Sequence, residues 1–443
     1  MEKFEVLVIG GGFKAVAAAW GQAKAGKKVA LVEVAPKIGG FLSPIHWDGY
    51  WIDKGPQFFD NFEPQDVDLI NDMIGADIME DIGFEYGSYM SGSLNSDFAI
   101  PDWQSKGDDF AMAAFQGLIE TRLTSDAPRE FETFDDVLAW DGGPVLLPLL
   151  RQMTKKFVGC QAEDLSPKAS TMVTYLGRKK LFGQELSLDL KKSPALDALL
   201  AAQKVTVGEP RANLYPRGSS LETVRVALEA ALERAGVTVL TETVLTAFDV
   251  PAGVARGEGV EIEFDRVFFG TDIRATETLL TGGKSIDERT HVVPEIFHCY
   301  VVPADSVARP YYVVDYDPAH VSTRITNFCN YMGCVDDQGL GVICVEEPVE
   351  IGSERWNDPG SAADDIYGEA LETGSVTAET YVKTKSFKVP VTYKIPLVGI
   401  EERIDAFRDQ VTQSCGDRAI IPDAYGLTRK SAIDDLRTLG MIG

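Results

Sequence analysis

The first 55 residues constrain the fold of this chain more strongly than any other segment. Phe4 to Ile9 is an apolar, β-branched run of strand length, and it leads directly into Gly10-Gly11-Gly12. Small residues at helical spacing follow from Ala15 to Ala25, and Lys28 to Val32 has the composition of a second strand. This order predicts a strand, a glycine turn, a helix and a parallel second strand, which opens an α/β fold.

The residues of the turn predict a dinucleotide-binding site. The turn reads G-x-G-x-x-A, and Glu33 lies 23 positions after Gly10, close to the spacing of the dinucleotide fingerprint. Gly10 permits the tight turn, Gly12 lets a pyrophosphate approach the backbone, and Ala15 allows close packing of helix and strand. The helix N-terminus offers N–H groups and partial positive charge to the diphosphate. Glu33 can accept hydrogen bonds from a ribose diol and would repel a 2′-phosphate.

A second glycine pair follows Glu33 and indicates which dinucleotide the chain binds. Lys37-Ile38-Gly39-Gly40-Phe41-Leu42-Ser43 is followed by Asp53-Lys54-Gly55 and then by Phe58. This arrangement resembles the second motif of the flavoprotein superfamily that includes amine oxidases, protoporphyrinogen oxidases, phytoene desaturases and UDP-galactopyranose mutases. In that motif the glycines let the backbone lie against phosphates and the ribityl chain, where a Cβ would collide. The resemblance implies FAD as the cofactor.

The resemblance also implies which residues contact FAD. Val244 matches a position that holds adenine through its backbone, and Gly270 follows the strand that returns beside the cofactor. Tyr425 lies in the segment expected to cover the isoalloxazine ring. The full set of predicted cofactor-binding residues is Gly10, Gly12, Phe13, Ala15, Glu33, Gly39, Gly40, Phe41, Val244, Gly270 and Tyr425.

We therefore predict an α/β fold with a Rossmann-like FAD-binding domain, a parallel sheet with helices, plus an inserted α+β substrate lobe. The FAD-binding domain is discontinuous and comprises 1–75, 196–285 and 393–443. The substrate lobe comprises 76–195 and 286–392. Two long excursions from one core predict a substrate site in the crevice between lobes.

The composition and net charge restrict the classes of partner that the protein can bind. The 443 residues carry a net charge of −26, which argues against nucleic acid and against anionic membranes. Six cysteines without a CxxC pattern fit free thiols in the cytoplasm, and four histidines without ligand spacing predict no metal site. We expect no signal peptide ahead of the first strand. We expect a small-molecule substrate. Whether the protein forms a homodimer stays an open question.

One segment departs from the acidic balance, and two interpretations of it stay open. Basic side chains there could form a patch for an anionic substrate such as a nucleotide diphosphate, or a solvated helix face that pairs with local acids. The residues concerned are Arg151, Lys155, Lys156, Arg178, Lys179, Lys180, Lys191 and Lys192.

Flavin chemistry needs few protein groups, because the cofactor carries out the redox step. We predict His46, Gln57, Arg324 and Tyr393 as catalytic residues, with His46 as a proton carrier. The predicted function is an FAD-dependent oxidase or dehydrogenase that transfers hydride from a small polar, sugar-related metabolite to flavin N5. One alternative is a redox-neutral isomerase similar to UDP-galactopyranose mutase, although Gln57 stands where that enzyme has a histidine. The other is a non-catalytic flavin-binding protein.

Overall fold

The computed structural model describes residues 2–123, 130–202, 211–426 and 428–443. Their α-helices are α1 Phe13–Lys24, α2 Pro64–Ile74, α3 Asp108–Arg122, α4 Phe134–Val158, α5 Gln184–Leu190, α6 Pro194–Asp197, α7 Leu221–Arg234, α8 Ile273–Thr281, α9 Phe328–Tyr331, α10 Glu354–Asn357, α11 Ala363–Glu372, α12 Ile400–Cys415 and α13 Arg429–Thr438. None of these helices combines the length and the apolar character that a bilayer crossing requires.

The same residues form strands of 2 to 14 residues. These are β1 Lys3–Ile9, β2 Val29–Val32, β3 Ile45–Trp47, β4 Tyr50–Ile52, β5 Phe59–Phe62, β6 Met79–Asp81, β7 Tyr86–Met90, β8 Ser93–Asn95, β9 Ala212–Pro216, β10 Thr238–Leu240, β11 Leu245–Asp249, β12 Val254–Gly257, β13 Val260–Phe269, β14 Thr290–Pro303, β15 Tyr312–Asp315, β16 Arg324–Asn327, β17 Leu340–Pro348, β18 Lys383–Pro396 and β19 Ala419–Ile420.

The chain divides into two compact units. Unit 1 is formed by Met1–Gly83, Gly208–Arg289 and Ile400–Gly443, and unit 2 by Phe84–Val207 and Thr290–Gly399. The sequence prediction placed the corresponding transitions after residues 75, 195, 285 and 392. The assignment of a cofactor role to one part of the chain and a substrate role to the other stays a prediction.

Unit 1 is built on a sheet whose centre is parallel. The strand order is β10-β2-β1-β13-β12-β11, with β19 also paired to β13. The pairs β10–β2, β2–β1, β1–β13 and β13–β19 are parallel, whereas the pairs β13–β12 and β12–β11 are antiparallel. This confirms the predicted α/β class with a Rossmann-like parallel sheet.

The close approach of α1 to this sheet depends on residues without bulk. Gly10 follows β1 with φ of +100°, a conformation that an L side chain rarely adopts. A Cβ built on Gly270, directly after β13, would lie 2.5 Å from the Cβ of Ala15 in α1. Ala15 and Gly270 therefore let the first helix pack directly on the strand end, which brings the carboxyl ends of β1, β2 and β13 together.

Unit 2 has its own sheet in the order β18-β14-β17-β16-β15-β7-β8. Its pairs are antiparallel except for β15 with β7. Helices α3 and α4 contribute Leu118, Phe134 and Leu150 to a core that also contains Trp103 and Val314. This arrangement confirms the predicted α+β character of the inserted part of the chain.

Helix α4 changes direction where the sequence breaks its helical pattern. Gly143 has φ of +62° inside α4, and Pro144 follows it. Proline lacks an N–H group and tolerates the first turn of a helix, so the residues after Gly143 begin a new helical segment. Gly143 and Pro144 therefore separate two helical segments within α4.

We predict that Gly270→Ala lowers the thermal unfolding midpoint, because the added methyl group would overlap with Ala15. Overpacking of this kind costs about 1–3 kcal/mol. Gly368→Ala is the control, since a Cβ there would meet no atom within 4 Å among the described residues and Gly368 lies in a helix. A Gly270→Ala protein as stable as the control would contradict the close packing.

Candidate cofactor and substrate sites

The two glycine motifs of unit 1 lie side by side. Gly12 and Gly39 form a parallel β-bridge, and the Gly39 N–H donates to the Gly11 carbonyl oxygen at 2.7 Å. Gly39 and Gly40 have φ of +127° and +56°. A Cβ on Gly40 would lie 3.3 Å from the Gly12 Cα. Both motifs therefore contribute to one backbone surface, on which a side chain at Gly39 or Gly40 would be strained.

The N-terminus of α1 opens onto this surface. Gly12 is the N-cap residue of α1 and, as a glycine, has no side chain that could cap the first turn. A Cβ built on Gly12 would meet no described atom within 4 Å. Helix N–H groups beside open space form the arrangement that binds a diphosphate, so these residues fit the diphosphate of a dinucleotide.

A cavity of about 400 Å³ lies at the carboxyl ends of the parallel strands of unit 1. Its lining is mostly apolar and includes Ile9, Gly10, Val32, Glu33, Val34, Thr243, Leu245, Phe248, Thr271 and Leu279. In open α/β sheets, ligands bind outside the carboxyl ends of the strands. The volume and lining are suitable for a nucleoside.

Glu33 is held in place at the edge of this cavity. Its Oε1 accepts a hydrogen bond from the Ala35 N–H at 2.7 Å, and its Oε2 lies 2.8 Å from the position that a Gly11 Cβ would occupy. The Glu33 carbonyl accepts from the Thr243 N–H at 3.1 Å. The predicted adenine contact, Val244, lies between two lining residues, with its side chain exposed and its carbonyl oxygen packed against Gly257.

The three aromatic residues predicted to contact FAD occupy different environments in unit 1. Phe13 is buried and its ring meets Phe59 edge-to-face at 5.3 Å. Phe41 is 53% exposed, next to the second glycine pair. Tyr425 packs beside the Ile404 and Phe407 cluster, and burial raises the pKa of its hydroxyl. Their contacts to a cofactor stay predictions.

The second motif also positions a buried acid that the sequence prediction did not include. The Asp53 carboxylate accepts a hydrogen bond from the Tyr215 hydroxyl at 2.6 Å, and no part of Asp53 is exposed. Burial raises the Asp53 pKa to about 7, while Tyr215 and Arg429 act in the opposite direction. The acidic residue of the Asp-x-Gly pattern therefore has a structural partner in β9.

Gln57, predicted as catalytic, holds a buried arginine. Its Oε1 accepts from Arg429 Nη2 at 2.6 Å, and its Nε2 donates to the Lys54 carbonyl at 2.8 Å. Arg429 Nη1 also donates to the Phe58 carbonyl at 2.8 Å, and burial lowers the Arg429 pKa to about 10. His46 lies on β3 with an exposed side chain beside the Trp51 ring. Catalytic roles for His46 and Gln57 stay predictions.

Unit 2 brings the other two predicted catalytic residues together. Arg324 of β16 donates to Glu346 of β17 through Nε at 2.9 Å and through Nη2 at 2.5 Å. The same Nη2 donates to the Tyr393 hydroxyl of β18 at 3.3 Å. Burial raises the Tyr393 pKa to about 12. All three residues line a cavity of about 80 Å³ whose other walls are largely apolar.

The sequence prediction did not include Glu295, which lines the same cavity from β14. Glu295 is 2% exposed, and its Oε2 has no hydrogen-bond partner among the described residues. Burial, and then the charge of Glu346, raise the Glu295 pKa to about 8, although Arg324 and Thr392 act in the opposite direction. The only signal in the sequence is a single acid inside an apolar strand.

A second buried network in unit 2 is satisfied by its own residues. His298 lies between the Ser386 hydroxyl, 3.0 Å from Nδ1, and a Glu347 carboxylate oxygen, 3.0 Å from Nε2. The other Glu347 oxygen pairs with Arg355. The network links β18, β14 and β17, and we assign it to stabilising the sheet.

Asp315, His320 and Glu369 bring potential metal ligands within 4.8 Å of one another. The His320 ring binds Asp315 through Nδ1 at 2.7 Å, and the Lys156 ammonium lies 3.4 Å from the other Asp315 oxygen. This hydrogen bond raises the His320 pKa to about 9. Since Lys156 and His320 already supply positive charge, we assign no cation site to this group.

The basic side chains of unit 2 pair with local acids. Seven of the eight residues singled out in the sequence form ion pairs. These pairs are Arg151 with Asp135, Lys156 with Asp315, Arg178 and Lys191 with Asp197, Lys179 with Asp141, Lys180 with Asp102, and Lys192 with Asp189. Of the two interpretations, pairing with local acids is the one that these contacts support.

Known proteins share this fold. A family model described as an NAD(P)-binding Rossmann-like domain matches residues 8–73. The structure of reduced UDP-galactopyranose mutase has a TM-score of 0.72 and 13% identity, covering 100% of this chain and 95% of that chain. A structure described as a protoporphyrinogen oxidase from Exiguobacterium sp. 255-15 has a TM-score of 0.69 and 15% identity, covering 99% and 98%.

A third similar structure is putrescine oxidase bound to putrescine, with a TM-score of 0.62 and 14% identity, covering 99% of this chain and 98% of that chain. No curated protein is similar in sequence. At these identities the likeness is one of fold. It confirms, at the level of fold, the predicted resemblance to the superfamily that includes these enzymes.

We predict that Arg324→Gln destabilises the protein by roughly 3 kcal/mol, because the buried Glu346 would lose its neutralising partner beside Glu295. A second change, Glu346→Gln, should recover part of the loss. The control is Arg151→Gln, which removes an exposed pair with Asp135 and should cost at most about 1 kcal/mol. Equal unfolding midpoints in urea for the two single variants would contradict the structural importance of the buried pair.

Proposed function

We propose that this protein is an FAD-dependent oxidoreductase that removes hydride from a small polar metabolite. The observation that carries the proposal is the joint backbone surface of the two glycine motifs, with open space in front of the α1 N-terminus. Similarity of fold to UDP-galactopyranose mutase and putrescine oxidase, two enzymes, supports the proposal.

The residues of unit 1 fit FAD in three places. The α1 N-terminus and Gly12 would hold the diphosphate, and Glu33 would accept hydrogen bonds from the ribose of the adenosine half. The cavity beside Thr243 and Leu245 would receive the adenine. The chemistry that FAD supplies when bound is acceptance of a hydride at its N5 atom.

We assign recognition of the substrate to the polar cluster of unit 2. Arg324 and Tyr393 offer hydrogen-bond donors within a small cavity, and its apolar walls exclude competing water. His46 and Gln57 remain proposed as further catalytic residues in unit 1. The pairing of the basic side chains removes one argument for an anionic, sugar-nucleotide substrate, and a polar metabolite remains the proposed class.

We also propose that the protein functions in the cytoplasm. All six cysteines are free thiols. Cys299, Cys329 and Cys344 are buried, and Cys160, Cys334 and Cys415 are half-buried. Unpaired thiols persist in a reducing compartment.

The protein should purify with FAD, and Gly12→Val should largely abolish flavin occupancy while secondary structure persists. The branched side chain would occupy the space in front of the α1 N-terminus, where the diphosphate is proposed to lie. Absorbance and the flavin released on denaturation measure occupancy, and circular dichroism measures folding.

Gly12→Ser tests the same space with a residue that is favourable at a helix N-cap. This variant should also lose flavin. Because serine is a good N-cap residue, weakening of α1 would not explain that loss. A colourless wild-type protein that binds NAD and not FAD would contradict the cofactor assignment. Full flavin occupancy in both variants would show that Gly12 has only a structural role.

Anaerobic mixing with a substrate should reduce the flavin, and admission of an electron acceptor should reoxidise it. A suitable panel contains amines, alcohols, amino acids and nucleotide sugars, and the flavin absorbance is followed by stopped flow. If turnover instead requires a flavin that is already reduced and yields an isomer without consuming an acceptor, the mutase-like alternative replaces this proposal.

A further inference from the structure

When Glu295 is ionised, the charges around the unit 2 cavity do not balance. Glu295 and Glu346 both line it, and Arg324 is the one guanidinium among the lining residues. Arg324 Nε and Nη2 both donate hydrogen bonds to the Glu346 carboxylate. Glu295 therefore has no cation of its own in the described lining, and its Oε2 is buried without a hydrogen-bond partner there.

A buried polar atom without a partner is costly, so natural proteins rarely retain one without a reason. If Glu295 had only a structural role, a neighbouring donor should satisfy its Oε2. In the same sheet, Ser386 and Arg355 satisfy the His298–Glu347 pair in this way. The contrast between the two networks indicates that Oε2 is reserved for a ligand.

We propose that this cavity binds a ligand through a primary ammonium group, and that Glu295 is the carboxylate that receives it. The inference rests on the proposed function, since it specifies the class of substrate for the site assigned to unit 2. An ammonium group supplies the missing positive charge and can donate to Oε2. An anionic group would be repelled by the ionised form of Glu295 and would find Arg324 already paired with Glu346. The cavity volume of about 80 Å³ suits the ammonium and the first carbons attached to it.

The walls restrict what the ammonium can be attached to. Phe157, Val158, Val314 and Ile395 present apolar surface around the polar cluster. Such walls favour a short alkyl chain next to the charge over a hydroxylated carbon chain, whose hydroxyl groups would lose hydrogen bonds to water. The expected ligand is therefore an alkylamine and not a sugar.

Binding should release a proton. The groups that face Glu295 are Glu346 on β17, Arg324 on β16, and Thr392 and Tyr393 on β18. Because the Glu295 pKa is raised to about 8, this carboxyl group is mostly protonated at pH 7. An ammonium ion binds the ionised form, so affinity should increase by about tenfold per pH unit from pH 6 towards 8 and then level off. Alkylammonium ions keep their charge over this range, since amines of the lysine type have a pKa of about 10.4.

The test uses the full-length protein with its flavin and ethylammonium chloride as the probe, followed by isothermal titration calorimetry. Titrations at pH 7 in two buffers of different ionisation enthalpy give the number of protons released, expected to be about one. Ethanol and acetate, of similar size, should bind at least about tenfold more weakly. Titrations at pH 6, 7 and 8 give the pH dependence.

Glu295→Gln should lose the preference for ethylammonium over ethanol and the release of a proton. Glu350→Gln is the matched control, because Glu350 is an exposed residue that follows β17 and lies outside the lining of this cavity. It should bind as the wild type does. If Glu295→Gln does not fold, the proton release and pH dependence of the wild type still decide the question.

Several results would overturn the inference: equal affinity for ethanol and ethylammonium, tighter binding of acetate, affinity that does not change with pH, or an unchanged Glu295→Gln variant. A protein that binds FAD and oxidises a substrate but not ethylammonium would disprove the inference and leave the proposed function intact. A protein that binds ethylammonium with proton release but takes up no FAD would disprove the proposed function and leave the cavity assignment standing.

Discussion

The backbone contact between the two glycine motifs is the constraint on which the rest of unit 1 depends. The Gly39 N–H donates to the Gly11 carbonyl, and Gly12 and Gly39 are bridged, so the chain that leaves β2 must return beside the turn that leaves β1. A side chain on Gly11 or Gly39 would meet neighbouring atoms, and Gly39 also has a φ that L side chains rarely adopt. This contact places Glu33 and the N-terminus of α1 at one edge of the sheet, where a dinucleotide can reach both.

Unit 2 differs from unit 1, because several titratable groups lie in its apolar interior. Most of them are satisfied in pairs, as His298 is by Glu347 and Lys179 by Asp141. The cost of burying each polar or ionised group is offset by a partner at hydrogen-bond distance. Glu295 departs from this pattern, and that departure, more than the presence of a cavity, points to a ligand.

Sequence reasoning and structure differ most over the role of charge in unit 2. An anion site stayed open for the lysines and arginines between 151 and 192, because some of their acidic partners are distant in sequence. Asp315, for example, is 159 positions from Lys156. Conversely, Arg324 and Tyr393 are 69 positions apart and meet only because β16 and β18 belong to one sheet.

The sequence by itself determined the βαβ opening, the two glycine turns, the acid after β2 and the α/β class, because these features follow from local periodicity and from the conformations that glycine alone adopts readily. Only the tertiary structure decided which charges are neutralised and which buried acid lacks a partner. Glu295 and Asp53 have raised pKa values because of burial and neighbours brought from distant strands, and no local pattern encodes those neighbours.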